Sequence, residues 1–146
     1  MSDRQKFTEN FDTLVALITN LSLDSNHDSR TAPQVAKVLH LDPAEVAAVF
    51  DAFPCFFRRS IKTEPGSGEY YFSIHARYAR RLPKSPNGHR PPTPTLEHDE
   101  LSSMFELIID MVKNESQRAD LHQKTQTLYV TTVVTMIAAA IAVWRR

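Results

Sequence analysis

Eight cations gather on one short reach of this chain. Arg58, Arg59 and Lys62 come first, and Arg77, Arg80, Arg81, Lys84 and Arg90 follow. Tyr70, Tyr71 and Tyr78 are interleaved with them, and no acid lies between Glu69 and Glu97. Guanidinium and ammonium groups attract anions, and phenol rings offer faces for stacking. Three readings compete: an edge facing only water, a patch meeting anionic lipid headgroups, or a site for nucleic acid or a phosphorylated ligand. Arg58, Arg59, Lys62, Arg77, Tyr78, Arg80 and Arg81 are the residues this chemistry singles out. The formal net charge is zero, so the cluster is local and the chain as a whole carries no polyanion-binding signal.

Other chemistries find no support. His27, His40, His75, His89, His98 and His122 have no metal-ligand spacing. The chain has 3 glycines and no phosphate-cradling loop. Cys55 stands alone and can form no internal disulfide; a small buried apolar residue is expected there. His75, in "SIHARY", is expected to make a local hydrogen bond at a strand end. No enzyme, metal or cofactor is expected.

The elements that must position the cations are legible. Phe7, Phe11, Leu14, Val15 (or Ile18) and Leu21 recur at helical spacing, predicting one amphipathic helix over residues 5–22. "LDSNHDSRT" is a loop. Thr31 caps a second helix with Pro33 in its first turn, and Asp42 caps a third with Pro43 at its first position. "CFFRRSIK" and "EYYFSIHARY" are strand-like and flank the turn "TEPGSG". Phe57, Ile61, Tyr71 and Ile74 are expected to point inward.

Val35, Leu39, Leu41, Val46 and Val49, with small Ala36, match the spacing of a helix-turn-helix counted from Ala32. His40 stands where that pattern usually has glycine. With a helix before and a hairpin after, residues 5–80 resemble a winged-helix domain. The resemblance implies three helices plus a β-hairpin wing, an α+β fold. In that family the second helix of the motif often enters the major groove. Here its exposed positions are Asp42, Pro43, Ala44, Ala47 and Ala48, with Glu45 and Asp51 nearby. None donates to a base edge, so a protein-interaction role is expected instead.

Composition then changes. Residues 82–95, "LPKSPNGHRPPTPT", hold five of the 9 prolines and read as a semi-extended linker after a domain at 1–81. Residues 96–146 have no Pro or Gly and read as one long helix or two helices in series. Asp99 and Glu100 suit a helix start. Leu101, Met104, Ile108 and Met111 fall at a and d spacing within 96–127, either for a coiled coil or for packing on the chain's own domain.

Leu128–Trp144 is 17 residues without a charge, about 25 Å as a helix. Tyr129 and Trp144 flank it, and Arg145 and Arg146 follow. This predicts a C-terminal transmembrane tail anchor over 128–146. Thr131, Thr135, Ala138 and Ala142 form a small-residue stripe within it, suited to self-association. The flanking charges are balanced, and "MSDRQKFTEN" is no signal peptide, so the N-terminal domain is expected in the cytoplasm.

The resulting expectation is a membrane-tethered sensor or adaptor that binds a protein partner and forms a homo-oligomer. A sharper form is an effector whose tail oligomerises and perturbs the bilayer. The alternatives are a membrane-bound DNA-binding regulator and a soluble helical interaction protein.

Overall fold

The computed structural model describes residues 6–84, 88, 91 and 93–144, with side chains described through residue 121 and at 125. It is an α+β arrangement of several helices around a small antiparallel sheet.

The expected first helix is two. Helix α1 spans Lys6–Glu9 and α2 spans Phe11–Leu23. Asn10 breaks them by donating from Nδ2 to the Lys6 carbonyl at 2.7 Å, a side-chain bond that competes with the helix ladder. The Phe7 and Thr8 N–H groups then donate to the Glu115 carboxylate at 3.1 and 2.9 Å. A carboxylate from far along the chain thus satisfies two orphan donors of α1.

Strand β1, Arg30–Thr31, leads into α3, Ala32–Leu39. The Thr31 N–H donates to Gln34 Oε1 at 3.2 Å. His40 ends α3 at φ 57 and ψ 40, the left-handed conformation for which glycine is the cheaper residue. The Leu41 N–H still closes on the Ala36 carbonyl at 3.0 Å, so the turn forms without glycine. Helix α4 is Pro43–Ala52, and Asp42 Oδ1 accepts from the Ala44 N–H at 3.0 Å.

Strands β2, Phe57–Thr63, and β3, Tyr70–Ile74, form the hairpin. The sheet order is β1-β3-β2. Short helix α5, His75–Ala79, follows directly, and α6 runs for 47 residues over His98–Trp144. His75 begins a helix rather than ending a strand, and its Nε2 lies 3.2 Å from the carbonyl of Pro54, 21 residues earlier, instead of a local partner.

The core fills the angle between helices and sheet. Leu14, Leu17, Ile18 and Leu21 of α2 meet Val35 of α3, Val46, Val49 and Phe50 of α4, and Phe57, Phe72 and Ile74 of the sheet. Phe50 stacks on Phe72 with centroids 4.3 Å apart and meets Phe57 edge-on at 4.8 Å. Leu101 and Ile108 of α6 join this core, with Met104 packed against it.

Several expectations change. Successive strand residues face opposite sides, so Phe72 and Ile74 face the core and Tyr71 does not. Ile61 is 92 % exposed, in the irregular stretch of β2 between Arg59 and Thr63. Cys55 is exposed, in the turn after α4. At the end of the proline-rich segment Thr93 is buried, and just beyond it Leu96 is buried and donates its N–H to the Ser22 carbonyl at 3.2 Å.

The largest correction concerns the tail. Among the described residues, no helix is long and apolar enough to cross a membrane. Residues 128–144 close a single helix, His98–Trp144, whose earlier turns carry charges throughout. The single-pass tail anchor over 128–146 and the membrane localisation that rested on it are therefore withdrawn. The side chains of Thr131, Thr135, Ala138 and Ala142 lie outside the described residues.

Arg77 is the largest side chain in the interior and only 1 % exposed. Its Nη1 donates to the Leu21 and His27 carbonyls at 2.8 and 3.1 Å. Its Nη2 donates to Thr93 O at 3.1 Å and its Nε to Pro94 O at 3.3 Å. Asp28 sits 3.7 Å away and also accepts from the Thr93 N–H and hydroxyl at 3.0 and 2.7 Å. Burial presses the Arg77 pKa down, Asp28 and Asp24 oppose this, and Arg81 adds to it. Arg77→Ala will orphan four carbonyls and remove the buried charge facing Asp28, and is expected to cost about 3–5 kcal/mol in urea unfolding. Arg80→Ala removes a partly exposed pair with Glu100 and is expected to cost under about 1 kcal/mol.

Asp24 supplies a pH dependence. Burial alone would raise its carboxyl. The Arg30 Nε–H at 2.5 Å, the Asn26 N–H at 3.0 Å, the Arg30 charge and the His27 ring outweigh that, lowering it from 3.8 to about 2. A depressed carboxylate stabilises the fold above its unfolded pKa, and this contribution fades as pH falls from 3.8 towards 2. Between those limits the native chain is expected to lose about 2 kcal/mol more stability than Asp24→Asn, read by denaturant titrations at successive pH values.

Candidate functional site

The outward face of the hairpin carries the site. Arg58 pairs across the ladder with Ser73, so it points away from the core that Phe57 and Ile74 enter. Helix α5 lies beside this face. With Arg77 turned inward, the next residue, Tyr78, meets Arg58, whose guanidinium is 3.8 Å from the Tyr78 ring centroid. The Arg81 guanidinium lies 4.2 Å from the same centroid. One phenol ring therefore holds two guanidiniums in place.

These groups line a half-open groove of about 570 Å3 with Ser29, Ser60, Ile61, Lys62, Thr63, Pro65 and Tyr71. No acid lines it. Among the described residues Arg58 and Lys62 form no ion pair, and the Arg81 Nε lies 4.0 Å from Asp28 Oδ2, too far for a hydrogen bond. Cations of one sign in a concave surface focus the local potential, and their unspent donors suit an anion with several oxygens.

The expected residues divide. Arg58, Lys62, Tyr78 and Arg81 come together in the groove. Arg59 stands on the other side of the hairpin, its guanidinium 3.6 Å from the Tyr70 ring centroid. Arg80 is paired with Glu100 of α6. Arg77 leaves the anion-facing set because its donors are spent on buried carbonyls. Tyr71 and the three hydroxyl residues enter the set in its place. Their alternation with core-facing neighbours signalled Tyr71; nothing local signalled Ser29, which the β1–β3 pairing brings alongside.

The hairpin is irregular. Arg59 pairs with Phe72 and Thr63 with Tyr70, so four residues advance on β2 against two on β3. This bulge turns Ser60, Ile61 and Lys62 out of regular alternation, and all three line the groove.

The exposed face of α4 remains Asp42, Pro43, Ala44, Glu45, Ala48 and Asp51. Thr13 donates its hydroxyl to Glu45 at 2.8 Å. The α6 stripe is spent locally: Leu101, Met104 and Ile108 pack on the chain's own core, while Met111 is exposed. Among the described residues, no group of His, Cys, Asp and Glu could hold a metal ion. Comparison with family models, curated proteins and solved structures gives no match.

Proposed function

We propose that this chain is a winged-helix adaptor whose hairpin groove binds an anionic, phosphate-bearing partner. The order of elements supports the winged-helix reading: two helices, a short strand, two helices and a hairpin, with the short strand beside β3. The carrying observation is the pair of guanidiniums stacked on Tyr78 in a groove without acids. Ring stacking fixes their positions while leaving their N–H donors unspent, which lowers the ordering entropy that anion binding must overcome. The acidic, alanine-rich face of α4 repels phosphates and offers no donor to a base edge, so the helix is left for protein contact.

The test is retention on immobilised heparin as salt rises. The full chain is expected to bind at low salt and to elute well after a variant carrying Arg58→Gln, Lys62→Ala and Arg81→Gln, with circular dichroism checking that both are folded. Flow-through of the native chain at low salt, or equal elution of the two, defeats the proposal.

A further inference from the structure

The groove holds more than charge. Tyr71 lines it, half-buried on β3. Among the described residues no cation or second ring is stacked on Tyr71, whereas Tyr78 carries Arg58 and Arg81 and Tyr70 carries Arg59. Tyr71 is thus the aromatic face of the groove that lacks a stacking partner. Arg58, Lys62 and Arg81 line the same groove as Tyr71. Ser29 and Ser60 line the groove as well.

An unstacked ring in a groove lined by cations suits a ligand that alternates planar groups with phosphates. We propose that the groove binds single-stranded nucleic acid, with a base on Tyr71 and backbone phosphates on Arg58, Lys62 and Arg81. This rests on the anion-binding reading above. A duplex satisfies the charges but not the ring, because its bases already stack on each other and cannot reach Tyr71. The helix that would have to enter a duplex groove is α4, and it presents Asp42, Glu45 and Asp51.

The competing macromolecule is a phosphorylated peptide. A peptide gains affinity by adding a strand to a free sheet edge, and β2 is such an edge. The bulge between Arg59 and Thr63 interrupts its ladder beside the groove, and the cations there discourage strand addition. A nucleic-acid strand needs no ladder.

The test is fluorescence anisotropy on the full chain. The probes are short labelled single strands of DNA and RNA, the matching duplexes, and a phosphorylated peptide, with heparin retention measured alongside. Single strands are expected to bind at least tenfold more tightly than duplex at equal salt. Tyr71→Leu, which keeps apolar bulk on β3 but removes the ring, is expected to weaken single-strand binding roughly tenfold, and Tyr71→Phe to restore it. Lys62→Ala, on an exposed position, is expected to reduce the salt slope by about 0.7. The proposal is overturned if duplex binds as tightly, if Tyr71→Leu binds like the native chain, or if the phosphorylated peptide is preferred. Heparin retention persisting in those cases leaves the anion-binding reading standing; its absence removes both.

Discussion

Arg77 is a charge held inside the fold, and the surrounding segments are arranged around that fact. A guanidinium has five donors and cannot shed its proton in a protein, so burial is tolerable only where acceptors converge. They come here from the end of α2, from the following loop and from the proline-rich segment, as the carbonyls of Leu21, His27, Thr93 and Pro94. Asp28 balances the charge and grips Thr93 through both carboxylate oxygens. One side chain thereby fastens three stretches of chain.

The same anchoring sets the site. Helix α5 spans only His75–Ala79, too short to hold an orientation through its own backbone bonds. Arg77 fixes its rotation, and the neighbouring Tyr78 then has to face the hairpin. Tyr78 in turn carries Arg58 from β2 and Arg81 from beyond α5. Asp28 faces Arg77 at 3.7 Å and Arg81 at 4.0 Å, so the interior charge balance and the groove share one carboxylate. Interior and surface arginines in "HARYARR" therefore differ in role although they are one or a few residues apart.

This division explains what was legible in the sequence. Asp42-Pro43 and Thr31 with Pro33 announce helix starts by local chemistry, and both helices begin where expected. Strand β1 has two residues and no period to detect; only its pairing with Phe72 and Tyr71 defines it. The direction of Tyr71 was readable from two-residue alternation once Phe72 and Ile74 were taken as core, whereas Ile61 lies in the irregular stretch of β2, where that alternation breaks. Arg77 looked like its neighbours because its acceptors are carbonyls, which any sequence supplies. Leu101, Met104 and Ile108 were visible as a stripe, but a stripe does not state its partner, and here it is the chain's own core. The absence of Pro and Gly from 96–146 announced a long helix or two in series, and the chain forms one, His98–Trp144.

The account places binding on the hairpin groove and assigns α4 no part in recognising anions. Heteronuclear NMR of the isotope-labelled full chain, titrated with inorganic polyphosphate, reads this residue by residue. The account predicts progressive shifts of the backbone and side-chain signals of Arg58, Lys62, Tyr78 and Arg81, with Ala44, Ala48 and Asp51 unmoved. Shifts concentrated on α4, or none on the groove at low salt, would contradict it.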